Sequence, residues 1–405
     1  MKPFIAVLWV FSIALAVGLT RLAGPDPGGS APSFSLDEAF GETDPLRRAY
    51  LISHALRDFG PDDVAEMKRV FVSRRVGFEM EEVQLAMLAW TRFDGAGAYA
   101  WASEWPSAWK RTLTAQSLWA WGFHDGAAAI RFVEEIEDPE LNERLKQNAL
   151  GGWMRSSDKD GVSEYIANFA KMGPRGRLTF LLAGEVLMER GIDGAMRWVD
   201  DLPKDSPNDL KRIAFDHVAK SVAAEDPVRA AEWFLVHRAQ AYSGGALKGI
   251  ARRWVQNHDP PSAFEWLVEL SDDDDGSGQR DEAIAAGFRS WIQSDADAAQ
   301  AWLLPMVPNS ALDSAVLEAT KRLTPKEPSE AMDWARRLDD ESKRNRELVR
   351  VASRWKFRDE EALGEWLNES DISEETRQII LVGVPRSRQR IEINVKSNPK
   401  AARKP

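Results

Sequence analysis

The groups with which this chain could do acid–base or metal chemistry are five histidines and an excess of carboxylates, 64 Asp and Glu against 53 Lys and Arg. The histidines are His54, His124, His217, His237 and His258. No two lie four residues apart, so no helix would present a paired imidazole, and no HExxH occurs. His124 and His258 stand directly before Asp125 and Asp259, which suits turn packing or a charge partner. The chain has no Cys, which removes disulfides, thiolate zinc sites, iron–sulfur clusters and a Cys nucleophile. GxSxG, a phosphate-cradling glycine loop and GxGxxG after a strand are all missing. The stretch from Ser271 to Glu282 has Asp at positions 3 and 5, Gly at 6 and Glu at 12 of a calcium-loop register. Its first position is Ser271 and its eighth is Gly278, so it reads as an acid-rich loop between helices. No catalytic residue, cofactor or metal site is expected.

Tryptophan is the unusual component, with 17 residues. A bulky aromatic recurs at Trp101, Phe132, Tyr165, Trp198, Trp233, Trp266, Trp302, Trp334 and Trp366, at steps of 31 to 36 residues. Seven positions earlier stands an acid: Asp94, Asp125, Asp158, Asp226, Asp259, Asp295, Glu327 and Asp359. The unit ending at Trp198 departs from this, with Gly191 there and Asp193 two residues on. Three positions before the aromatic is a small or aliphatic residue, Ala98, Ala129, Val162, Ala195, Ala230, Ala263, Ala299, Ala331 or Leu363. A second apolar marker precedes the acid by four or five residues: Trp90, Trp121, Trp153, Val222, Trp254, Trp291, Leu323 and Trp355.

These spacings predict the elements that carry them. Asp226-Pro227, Asp259-Pro260 and Glu327-Pro328 read as a helix N-cap followed by proline at the first helical position. The small residue and the aromatic, three apart, share one face of that helix. Each repeat is therefore helix A, a turn of about four residues holding the acid, then helix B. Neither helix can bury its apolar face alone, so stacking is required. The expected fold is all-α: an α-solenoid of about nine helix-turn-helix units of roughly 33 residues. The repeat domain covers 41–385, with an N-terminal cap at 41–80 and units from about 81. Residues 374–384 would shield the last unit.

The ends of the chain carry different signals. Met1-Lys2-Pro3 precedes sixteen uncharged residues, Phe4 to Leu19, and Arg21 ends the run. A basic start and an apolar core read as a signal peptide or an uncleaved anchor over 1–23. Residues 24–40, beginning Gly24-Pro25-Asp26-Pro27-Gly28-Gly29, read as a flexible linker. The body is then extracytoplasmic, tethered to the membrane through the N-terminal segment, or periplasmic or secreted after cleavage. Seven basic residues and one acid, Glu392, fall between Arg386 and Pro405, so the net charge of -11 understates the acidity of the body. An acidic body is a poor match for nucleic acid, and the tail reads as a solvated end.

The second half of the repeat resembles the Sel1-like branch of the tetratricopeptide-type helical repeats. The residues that carry this are Asp226, Ala230 and Trp233; Asp259, Ala263 and Trp266; and Glu327, Ala331 and Trp334. The Leu-Gly, the Tyr and the Gly-rich turn of that family's first half are replaced here by a Trp and a shorter turn. The resemblance covers about a third of each unit and implies a solenoid that binds proteins.

Function is read from architecture and address together. The repeated aromatics, at core spacing, are expected to pack inside. Trp105, Trp109 and Trp119 lie outside the pattern and are the candidates for a partner-binding patch near the first full unit. The leading expectation is a non-catalytic helical-repeat scaffold for a protein or peptide partner. The alternative is a helical enzyme or carbohydrate-binding module with exposed Trp and acids in one groove.

Overall fold

Acids placed to accept the orphan N–H groups of a first turn set about half of the helix starts among the described residues. In the computed structural model, which describes residues 34–74, 78–106, 109–168, 172–203, 209–270 and 278–382, those residues are all-helical, with no strand among them. The N-terminal apolar segment, the linker as far as residue 33, the acidic run 271–277 and the basic tail lie outside the described residues. No helix among the described residues is long and apolar enough to cross a membrane. The chain divides into two compact units, 1–171 and 172–405.

The first unit opens with α1 (Leu36–Gly41), α2 (Pro45–Arg57) and α3 (Val64–Ser73). Residues 36–40, expected as linker, are in this folded cap. Ser35 and Glu38 form a reciprocal capping box, and Leu36, Ala39 and Phe40 are buried. The apolar residues stand at i, i+3 and i+4, so a single turn suffices to bury them; Phe40 meets Phe71 and Phe78 edge-on. Three helix pairs follow: α4 (Met80–Thr91) with α5 (Gly95–Glu104), α6 (Trp109–His124) with α7 (Gly126–Glu134), and α8 (Pro139–Arg155) with α9 (Lys159–Ala167). The first helices of successive pairs, α4, α6 and α8, lie against one another in order. Glycine permits the closest crossing. A Cβ at Gly152 would fall 1.8 Å from the Trp119 carbonyl oxygen, and one at Gly122 would fall 2.0 Å from that of Ala149.

The second unit starts with α10 (Met172–Asp201), which breaks at Gly191. Gly191 has φ 63°, in the left-handed region, and stands where the other repeats place their acid. After it come α11 (Leu210–Glu225) with α12 (Pro227–His237), α13 (Ala246–Asn257) with α14 (Pro260–Glu269), and α15 (Gln279–Ser294) with α16 (Ala296–Leu303). Next are α17 (Asp313–Leu323) with α18 (Pro328–Ala335), α19 (Glu341–Arg358) with α20 (Glu360–Glu369), and the final α21 (Glu374–Val382). Here too α11, α13, α15 and α17 lie side by side in order.

The turn inside most described pairs is tighter than the four residues expected, while α17–α18 keeps four, Thr324 to Glu327. In α6–α7, α11–α12, α15–α16 and α19–α20 it is the acid alone. Asp94, Asp125, Asp158, Asp226, Asp259, Asp295 and Asp359 each accept an N–H from the first turn of the second helix. Glu327 does not, although Asp-like capping was expected of it. Its carboxyl group lies against that of Glu330 instead, and that contact, with burial, pushes the Glu330 carboxyl above its ordinary value.

Helix C-termini are closed from a distance. Asn142 of α8 donates to the carbonyls of Val133 and Ile136, and Lys211 of α11 to those of Asp200 and Leu202. Arg280 donates to Leu270, and Arg344 to Leu338. The first turns of one pair thus satisfy the free carbonyls at the end of the pair before.

Candidate functional site

The repeated aromatics meet a ring of the first helix inside most helix pairs. Trp90 packs on Trp101 with ring centroids 5.5 Å apart, Trp121 on Phe132 at 5.1 Å and Trp153 on Tyr165 at 5.6 Å. Trp254 packs on Trp266 at 5.5 Å, Trp291 on Trp302 at 5.6 Å and Trp355 on Trp366 at 6.4 Å. Where the first helix carries Val222 in place of a ring, Phe215 comes to Trp233 from two turns earlier at 4.3 Å. The small residue three positions before each ring, from Ala98 to Leu363, is buried in every pair. Trp198 and Trp334 are buried as well, and none of the described tryptophans is exposed. Two indole N–H groups reach carboxylates, Trp153 to Asp158 and Trp233 to Asp200.

The three aromatics outside the repeat do not form an open patch. Trp105 is 8% exposed and meets Trp101 at 5.0 Å, inside the core of the first unit. Trp109 and Trp119 are half-buried against the same core, and Trp119 stacks on Phe123. The binding patch expected at Trp105 is therefore corrected to a core position. The chain leaves α5 at Trp105, and the ring packs back on Trp101, one turn earlier in the same helix.

Two solvent-facing concavities with polar linings occur instead, one on first helices alone and one shared with the second helix α5. One, of about 310 Å³, lies across α11, α13 and α15 and is lined by Lys220, Lys248, Arg252, Gln256, Arg289 and Gln293. Gly249 forms its floor: a Cβ there would fall 2.3 Å from Cε of Lys220, whose stem crosses at that point. Lys220 pairs with Asp216. Arg289 grips Glu318 with two hydrogen bonds of 2.8 and 2.9 Å, and Lys321 reaches the same carboxylate at 2.8 Å. Burial would raise the Glu318 carboxyl, but the hydrogen bonds and charges of Arg289 and Lys321 outweigh it and hold the group below its ordinary value. Lys248 and Arg252 are exposed and make no ion pair among the described residues. Beside the cleft, burial and then the Lys220 charge push the His217 imidazole down, so it is neutral at pH 7. A second concavity, about 780 Å³, lies in the first unit around Tyr99, Lys110, Arg111, Thr114 and Arg144.

Neither concavity was singled out in the sequence, yet a signal for one existed. Counting two residues back from Val222, Trp254, Trp291 and Leu323 gives Lys220, Arg252, Arg289 and Lys321. A cation therefore recurs on four successive first helices, next to the inward residue and directed outward. The repeated aromatics mark buried positions, and the cations stand on the solvent face beside them. No group of three or more His, Asp or Glu able to hold a metal occurs among the described residues. The calcium-loop register at Ser271–Glu282 falls largely on residues outside those described. Asp200, His237 and Tyr242 form a hydrogen-bonded relay, with Nε2 of His237 3.1 Å from Asp200 and Nδ1 2.8 Å from the tyrosine hydroxyl. The relay packs on Trp233 and Phe215, so it ties the end of α12 to the loop that follows.

Comparison with known proteins gives no matching family model, no similar characterised protein and no matching solved structure.

Proposed function

We propose that this chain is a non-catalytic α-solenoid scaffold that binds a protein or peptide partner on the outer face of its first helices. The chain acts outside the cytoplasm, held or sent there by its N-terminal apolar segment. The half-repeat resemblance to Sel1-like proteins agrees with this use. The observation that carries the reading is the polar, solvent-facing cleft across the first helices α11, α13 and α15, while the repeated aromatics are spent on packing. A row of parallel helices with apolar interiors and variable outer residues is the usual ground for extended partner binding in repeat proteins. The carbohydrate alternative required exposed indoles beside acids. The described indoles are buried or half-buried, and the second-unit cleft is lined by cations and amides with no indole among them.

A photo-crosslinking amino acid placed at Gln256, on the outer face of α13, tests the reading in membranes of the source cell. A discrete protein adduct is expected there, and none from the same group at Glu365 on α20. Equal adducts at both positions, or none at Gln256, would count against the scaffold.

A further inference from the structure

In a chain of net charge -11, the second-unit cleft is locally basic. The cations recur across neighbouring helices, which lie about 8–10 Å apart when packed. Asp216 and Glu318 neutralise its two flanks by pairing with Lys220 and Arg289. At the centre, Lys248 and Arg252 stand one turn apart on α13, exposed and without an ion partner among the described residues. Gln256 and Gln293 complete the far end with amide donors and acceptors.

We infer, on the footing of the scaffold reading above, that this cleft receives an extended acidic segment of the partner protein, its carboxylates on Lys248 and Arg252. Alternate side chains of an extended peptide project about 6.7 Å apart, close to the roughly 6 Å between residues one turn apart on a helix face. Arg252 offers a carboxylate two parallel N–H donors, and Lys248 a mobile ammonium. The peptide backbone then lies within reach of Gln256 and Gln293. A nucleic acid strand suits the cleft less well. Its phosphates need an unbroken run of cations, and here Asp216 and Glu318 already occupy the flanking ones and would repel the strand.

Fluorescence anisotropy with the full chain tests this directly. The probe is a labelled peptide of roughly ten residues, about 33 Å when extended, alternating Glu and Ser. Controls are the same peptide with Gln for Glu, and a thymidine oligonucleotide of equal length. The Glu peptide is expected to bind, and to weaken as salt is raised through the range where screening shortens below about 10 Å. The double variant Lys248→Glu/Arg252→Glu should weaken it about ten-fold or more, since like charges then face each other. Its circular dichroism and urea midpoint should match the parent, because both side chains are in solvent. A Lys–Ser peptide should prefer the variant over the parent. Equal binding of the Gln peptide, an indifferent double variant, or tighter binding of the oligonucleotide would each overturn the inference. If the Gln256 adduct persists while the charge preference fails, only the acidic segment is lost. Disappearance of the adduct as well removes the scaffold reading itself.

Discussion

At the scale of single residues, the repeat is governed by what fits between two helices. Gly152 and Gly364 both sit inside helices, where replacing glycine by alanine ordinarily gains roughly 0.5–1 kcal/mol from reduced backbone entropy in the unfolded chain. Their surroundings reverse the sign at one of them. A methyl at Gly364 meets nothing within 4 Å, whereas one at Gly152 would lie 1.8 Å from a backbone oxygen of α6, which has no rotamer to move to. Gly364→Ala should raise the urea midpoint by the entropic amount. Gly152→Ala should lower stability by about 1–3 kcal/mol, the usual cost of overpacking, because α6 and α8 must separate. The same reasoning covers Asp125-Gly126, where a Cβ would fall 2.0 Å from the Trp153 ring. Glycine follows the cap there because the next repeat's indole needs the room. Ion pairs act on a different variable. The Glu318 carboxyl titrates below its ordinary value of 4.5, so its stabilisation is complete above that pH and lost as the pH falls through the lower folded value. Comparing parent and Glu318→Gln in urea at pH 7 and pH 3 should show a gap that narrows at the acid end. A gap independent of pH would mean that the carboxylate's charge contributes nothing.

Element by element, the sequence was most legible where a structural cause is local. Asp226 and Asp259 cap helices because a carboxylate three residues from an N–H needs no tertiary help, and their spacing alone shows it. Glu327 followed the same spacing and failed, since its extra methylene lets it reach Glu330. Leu36 and Phe40 read as linker in the sequence because one helical turn carries too little periodicity to rise above the Pro/Gly run before it. Trp105 was placed outside because a residue beyond the repeat pattern shows nothing about the direction in which the chain turns. The cation row was present in the sequence at fixed offset, but solvent-facing positions tolerate any polar residue and so attract no notice without coordinates. The C-terminal braces were least legible of all, because Lys211 reaches carbonyls nine and eleven residues away. Lys211 is 4% exposed, and its ammonium takes the place of water at the end of α10. Lys211→Met keeps the stem and removes the donors. The orphaned carbonyls should cost about 1–3 kcal/mol in urea unfolding. A loss near zero would mean that the stem, and not the ammonium, holds the contact.

For the molecule as a whole, the consequence of building by neighbour contact is that damage should stay near where it is made. In each compact unit successive first helices lie against one another, and on the proposed solenoid reading stability should behave as local terms plus couplings between adjacent pairs. Lys211→Met provides the perturbation, because its donors join α11 to the end of α10 in the second unit. Native-state hydrogen exchange reads the response along the chain. Amides of α10, α11 and α12 should exchange faster in the variant. The effect should weaken through α13 and α15, and be smallest at α19, which shares no direct contact with the altered pair. A globular core would respond otherwise: every slow amide would gain the same increment, because all would open through one cooperative event. The graded profile also bears on binding. A cleft that draws Lys220, Arg252 and Arg289 from three successive pairs keeps its geometry only while those pairs remain coupled. If protection at α13 and α15 falls as far as at α11, the second unit unfolds as one body, and the row of cations is held by global stability instead of by nearest neighbours.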